Sequence, residues 1–159
     1  MIRLARLAPD HVGEALTVQR AAYVSEAQRY RQPLIPPLVE TLEQFRADLR
    51  VAVGAWFGDR LVGSVRGRVD GDRMEIARFS VAPDQQGNGV GRALLAAVED
   101  AAPAEVETFW LITGARSHDN IALYERAGYV IVGERPDVVG IRLAVMEKPR
   151  HGSSRASSG

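Results

Sequence analysis

The chain has no cysteine. Disulfides and thiolate metal sites are therefore excluded, and the redox compartment is left open. Lysine is almost as scarce: of 20 basic residues only Lys148 is a lysine, and the rest are arginine. With abundant alanine, glycine and valine, that bias suggests a GC-rich bacterial genome and carries no functional weight. Charge of neither sign prevails, because 20 basic residues face 20 acidic ones. No global field favours nucleic acid or an anionic membrane. No apolar run approaches the roughly 18 residues of a spanning helix, and the N-terminus lacks a signal-peptide pattern, so a cytoplasmic protein is expected. The three histidines, His11, His118 and His151, have no metal-ligand spacing, and no metal is expected.

What is present suits one globular domain: 159 residues, 46% hydrophobic and 25% charged. Ile2 to Arg6 alternates as a short strand. Pro9-Asp10 opens a helix with an apolar face through Val12, Leu16, Val18, Ala22 and Tyr23 to about Ala27. Residues 32–37, with three prolines, are irregular. Thr41 and Gln44 fit a capping box on a second helix. Val51 to Phe57 and Leu61 to Val69 form a hairpin, and Met74 to Val81 is the next strand. A helix follows with Leu94, Leu95, Val98, Ala101 and Ala102 on its buried face. Phe109 to Thr113 is a strand, Asn120 to Ala127 a helix stopped by Gly128, and Tyr129 to Glu134 and Ile141 to Glu147 the last strands. The order predicts an α/β (α+β) fold: a mixed, mostly antiparallel central sheet of about seven strands with helices on both faces. One domain spans 1–148, and Pro149 to Gly159 reads as a disordered tail.

The most informative stretch is Gln86-Gly87-Asn88-Gly89-Val90-Gly91-Arg92, between a strand and a helix. Alternate glycines allow positive φ and remove the side chains that would keep an anion from the backbone. Successive N–H groups and a helix N-terminus then converge on a phosphate, and Arg92 adds a charge. A Walker A loop requires Gly-Lys-Ser/Thr, and Gly91 is followed by Arg92-Ala93. A dinucleotide fingerprint requires a third glycine where Arg92 stands. Both are excluded.

With its Gln-x-x-Gly-x-Gly type signature at Gln86–Gly91, after Val81-Ala82-Pro83-Asp84, the chain resembles the GNAT superfamily of acyl-CoA-dependent N-acyltransferases. A second segment, Asn120 to Tyr129, resembles the motif that binds the pantetheine arm and supplies a tyrosine. The likeness covers about Ile2 to Glu147 and is only an outline before Val51, where acceptors are usually recognised in the family.

The resemblance implies acetyl-CoA as acyl donor, with its pyrophosphate on the amides of Gln86, Gly87, Asn88, Gly89, Val90 and Gly91. Its pantetheine would pair with the strand ending Phe79-Ser80-Val81, and Asn120 would face the arm. A backbone N–H near Phe79 to Val81 is the candidate oxyanion donor. Tyr124 is the candidate proton donor to the leaving thiolate, its ordinary pKa of roughly 10 lying near a thiol's roughly 8.5. Glu75 is the candidate base, read as sharing strand parity with Ala77, Phe79 and Val81. The family often has an acid two positions later, where this chain has Ala77. Alternatively, Glu75 is a solvated carboxylate paired with Arg66 or Arg68. His118 reads as a surface-loop histidine near the cleft mouth. Tyr23, Tyr30, Pro33, Pro36 and Pro37 fall where an acceptor loop belongs, with Glu26 or Glu40 to hold a cationic amine; equally, the aromatics anchor an irregular loop. The acceptor is a small-molecule or protein amine, and a homodimer is compatible with the resemblance. The competing reading is a non-catalytic acyl-CoA-binding sensor or partner-binding domain.

Overall fold

The computed structural model describes residues 1–151 of the 159-residue chain. Seven strands form one sheet in the order β1-β2-β3-β4-β5-β7-β6. They are β1 (Arg3–Arg6), β2 (Val51–Phe57), β3 (Arg60–Asp70), β4 (Arg73–Val81), β5 (Thr108–Gly114), β6 (Val130–Pro136) and β7 (Arg142–Pro149). Every neighbouring pair is antiparallel except β4 and β5. This is the mixed, mostly antiparallel sheet expected from the sequence.

Alternate residues of β2 point to opposite faces and fill two separate cores. Val51, Val53 and Ala55 join the cluster under α4 (Val90–Asp100) and α5 (His118–Arg126), which holds Leu94, Leu95, Val98 and Tyr124. Ala52 and Trp56 join the cluster under α1 (Val12–Tyr30) and α3 (Leu42–Arg46), with Val12, Leu16 and Phe45. Each large aliphatic side chain so buried is worth about 1.5–3 kcal/mol. The capping box is made: Gln44 N donates to Thr41 Oγ1 (3.1 Å) and Thr41 N to Gln44 Oε1 (2.9 Å). Helix α1 runs beyond the expected Ala27 until Arg31, at φ 50°, turns the chain in the left-handed conformation. The proline-rich segment that follows closes a single turn, α2 (Pro36–Val39).

Pro149 belongs to β7, and Arg150 donates to the carbonyls of Ala102, Pro103 and Val106. Order thus extends into the first residues of the expected tail, whose remainder, 152–159, lies outside the described residues. No helix among the described residues is long and apolar enough to cross a membrane.

A buried ionic knot joins the two halves of the α1 face. Arg66 on β3, fully buried, donates to both oxygens of Glu40 (2.6 and 2.9 Å), to Gln19 on α1 (2.9 Å) and to Asp48 (3.1 Å). Its guanidinium lies 3.9 Å from the Phe45 ring centroid. Gln19 Nε2 in turn donates to Glu40 Oε1 and to the Pro37 carbonyl. Burial alone would raise the Glu40 carboxyl, but the hydrogen bonds from Arg66 and Gln19 outweigh it and hold the group below its ordinary 4.5. A depressed carboxylate contributes stability above its unfolded pKa, and that contribution is lost as pH falls through the folded value. Removing one partner of a buried pair leaves an uncompensated charge. Glu40→Gln should therefore cost about 3 kcal/mol at neutral pH in urea denaturation. The gap to the parent should narrow as pH drops below about 4.5; a gap that does not vary with pH would show that Glu40 stabilises by shape alone.

Candidate active site

Strands β4 and β5 pair over only three residues, Arg73, Met74 and Glu75 against Thr108, Phe109 and Trp110. Beyond that they part, while β4 stays paired to β3 as far as Val81 and β5 to β7 as far as Gly114. The opening is a cleft of about 750 Å³ between α1, the glycine loop, α5 and the β6–β7 connection. Glu75 stands at its apex, the last paired residue of β4.

The strands part where β4 bulges. The register slips between Ser64 and Arg66, and Arg78 takes φ 53°, a left-handed conformation unusual for a non-glycine residue. The extra residue reverses the side-chain parity. Met74 and Ile76 point into the α4 core, and after the bulge Phe79 and Val81 do. Glu75 is therefore not on the face of Phe79 and Val81, contrary to the sequence reading, because simple alternation fails across a bulge. Ala82 N donates to Val62 O on β3 (2.8 Å). By alternation from there the N–H of Val81 faces the open edge, while Ser80 is buried and bonds the Arg78 carbonyl through Oγ (3.1 Å).

Gly87 and Gly89 take φ 84° and 83°, and Gly89 is the N-cap of α4. The first helical bond is Ala93 N to Gly89 O (3.1 Å), so the N–H groups of Val90, Gly91 and Arg92 are free of helical partners. Gln86, Gly87, Gly89, Gly91 and Arg92 line the cleft. A Cβ on Gly91 would come within 2.9 Å of Phe79 Cζ, which fixes how closely the helix approaches β4. Val90 is buried in the core, and Asn88 is exposed and donates to Gln85 (3.3 Å). The Arg60 fork on Asp84 (2.7 and 2.8 Å) braces the turn leading into the loop and draws the Asp84 carboxyl down to about 2. A row of free N–H groups around glycines at positive φ fits a diphosphate, and the unpaired edge of β4 fits an amide-bearing chain.

Across the cleft, α5 presents Asn120, Leu123 and Tyr124. Tyr124 is 6% exposed, and its ring lies edge-on to Phe79 at 5.7 Å. Burial pushes its phenol well above the ordinary 10, with Tyr23 and Glu26 adding to the rise. Burial also raises Glu75, against the opposing pull of Arg68, whose Nη1 is 3.9 Å away. Arg68, not Arg66, is thus its partner. Tyr23, pushed up to about 12 by burial, also lines the cleft. Glu40 is not available to an amine, since Arg66 and Gln19 occupy both its oxygens; Glu26 does reach the cleft. Pro36 and Pro37 are in its wall. His118 is the exposed first residue of α5, and His11 caps the turn before α1 by accepting from Ala8 N (2.9 Å).

Two features of the site escape the sequence reading. One is Arg78, which looks like an outward strand residue; the spacing of apolar positions 74, 76, 79 and 81 is the signal of the bulge that turns it inward. The other is a clasp across the cleft's end. Tyr30 Oη on α1 takes the Arg116 N–H (2.9 Å) and pairs with buried Ser117 Oγ (2.9 Å), which donates to Glu26. Tyr30 therefore both anchors and lines. Nothing in local sequence joins residues 26 and 30 to 116 and 117.

The family model described as "Acetyltransferase (GNAT) family" matches residues 17–129. The UPF0157 protein YqkA of Bacillus subtilis is 31% identical over 116 residues, which are 73% of this chain and 34% of that protein. The chain thus spans about a third of that relative's length. An IAA acetyltransferase of Azospirillum brasilense is 29% identical over 136 residues, 79% of this chain and 87% of the relative. The solved structure of the PaiA N-acetyltransferase of Thermoplasma acidophilum in complex with coenzyme A superposes with a TM-score of 0.76 at 15% identity, covering 94% of this chain and 99% of the other.

The clasp closes over Gly114, where a Cβ would collide with Tyr30 Oη and Ser117 Oγ. Gly114→Ala should expel the tyrosine and lower stability by about 2 kcal/mol, the usual cost of overpacking. The loss should shrink in a Tyr30→Ala background when both are measured by thermal melting; additive losses would rule out the clash as the cause.

Proposed function

The chain belongs to the acetyltransferase (GNAT) family, and we propose that it moves an acetyl group from acetyl-CoA to a primary amine, by direct attack in a ternary complex in the cytoplasm. Acyl transfer is the chemistry of the family. The observation that carries the reading is the parted edge of β4 beside a cradle of free N–H groups in one cleft.

In this reading the N–H groups of residues 86–92 and the Arg92 side chain hold the diphosphate. The open edge at Phe79, Ser80 and Val81 pairs with the pantetheine amides, and Asn120 faces the same arm. The thioester supplies an acyl carbon already activated toward nitrogen. The amine must arrive unprotonated, and a lysine-like ammonium has a pKa of about 10.4. Glu75, desolvated at the apex, takes that proton directly or through water; its raised pKa makes it a stronger base than a surface carboxylate. The N–H of Phe79 or Val81 meets the developing oxyanion. As the N–C bond forms and the C–S bond breaks, Tyr124 donates a hydrogen bond to the departing sulfur. A phenol pushed so far up is a weak acid that keeps its proton at every working pH. Stabilisation of the thiolate by that bond therefore precedes any full transfer. The absence of cysteine accords with direct attack rather than an acyl-cysteine route.

Acetyl-CoA should raise the melting temperature while NAD and ATP leave it unchanged; no shift with acetyl-CoA would remove the donor assignment. A panel of primary amines read by free-thiol release tests the reaction itself, and silence across the panel would favour a binding-only domain. Tyr124→Phe should lower kcat by about 30-fold with little change in coenzyme A affinity. Activity should rise with pH on an acid limb whose midpoint lies above the ordinary carboxylate value, because Glu75 must lose its proton to act. Glu75→Gln should flatten that limb; an unaltered profile would move the base elsewhere.

A further inference from the structure

We propose that Arg78 anchors a carboxylate of the acceptor, so that the substrate class is an amino acid or a similar amine carrying a nearby carboxylate. The proposal rests on the acyl-transfer reading of the cleft.

Arg78 lines the cleft beside Glu75, Tyr23 and Tyr124. Its Nε is buried with no hydrogen-bond acceptor. The nearest carboxylate oxygen, Glu40 Oε1, lies 3.5 Å away and is already held at 2.6 Å by Arg66 and at 2.9 Å by Gln19. Buried polar groups are nearly always partnered, and a guanidinium presents five donors in a planar fork. Arg66 provides the contrast. Its Nε is also bare, yet its other nitrogens make four hydrogen bonds, which is the pattern of a structural arginine. Arg78 donates none among the described residues. It reaches this position only through the left-handed bulge, a conformation that costs a non-glycine residue energy and is kept at functional sites. Burial also works against its charge, pulling the guanidinium pKa down. A planar anion with two oxygens relieves each of these at once.

The other charges in the cleft complete the pattern. Glu75 provides negative charge for an ammonium, while Glu26 and Arg29, paired with each other at 3.4 Å, add one charge of each sign. A polyamine or a polycationic antibiotic would bring extra positive charge against Arg78. A protein N-terminus has no carboxylate beside its amine. An α-amino acid places one charge of each sign within a few atoms.

Two measurements decide this. The chain loaded with coenzyme A is titrated calorimetrically with N-acetyl-L-amino acids and with the matching N-acetyl-L-amino amides, which needs no turnover. At least one acid should bind about 30-fold more tightly than its amide. Arg78→Asn, whose new side chain tolerates the left-handed conformation, should bring that ratio close to unity; Arg78→Gly serves if the asparagine variant fails to fold. Acids binding no better than amides, or a preference that survives in the folded variant, would overturn the anchor. Thiol release with free amino acids and their amides is measured alongside. Release at equal efficiency for both would also overturn the anchor while upholding acyl transfer. No release from any amine, with tight acid binding retained, would overturn acyl transfer while upholding the anchor.

Discussion

One extra residue in β4 organises the cleft. The strand cannot continue its ladder to β5 past Glu75 and keep its pairing with β3 while Arg78 occupies the left-handed region. The bulge leaves N–H groups of β4 without a strand partner, and it turns Phe79 and Val81 into the core beneath α4. The same reversal sends Arg78 to the opposite face, against Tyr23 and Glu40. The proposed cofactor edge and the proposed acceptor wall are thus two outcomes of a single backbone irregularity.

The two walls differ in kind. On the donor side the groups offered are backbone N–H groups around Gly87, Gly89 and the start of α4. Such a surface depends on glycine at positions 87, 89 and 91 and otherwise reads shape and negative charge. On the proposed acceptor side the groups lining the cleft are side chains: Arg78, Glu26, Tyr30 and Glu75. The Tyr30–Ser117 clasp holds Tyr30 and Glu26, the Arg66–Glu40–Gln19 knot stands behind Arg78, and Arg68 faces Glu75. Those long-range contacts position charges that short-range structure cannot fix. A wall of this type can change its ligand by substitution while the donor cradle stays as it is.

That difference also explains what was legible in the sequence. The glycine loop, the capping box at Thr41 and Gln44, and the strand order are local patterns, and residues 80–95 contain the donor cradle whole. Helix ends shifted: α5 starts at His118 rather than Asn120, since Ser117 supplies the carbonyl that bonds Ile121 N. The knot behind the cleft joins residues 19, 40, 48 and 66, the clasp at its end joins 26, 30, 116 and 117, and sequence spacing says nothing of such meetings. Glu40 looked free because its partners are 21 and 26 residues away. Plain alternation puts Glu75 on the face of Phe79 and Val81, and the extra residue in β4 moves it to the other face. The 2-3-2 spacing of Met74, Ile76, Phe79 and Val81 contained that information all along.

Lys148 has a consequence of its own. It is the only side-chain amine in the sequence, and its Nζ is tied to Glu99 Oε1 at 2.8 Å, above the Tyr129 ring on the side of the sheet away from α1. Apart from three histidines, every other basic side chain is a guanidinium, which stays protonated and offers no lone pair to a thioester. A protein that held an activated acyl group, as proposed, would expose its own surface to that reagent throughout its life. Apart from the exposed α-amine of Met1 and the three imidazoles, the one side-chain ammonium is held in an ion pair, so few of the protein's charges would be lost to spontaneous acylation by the proposed donor.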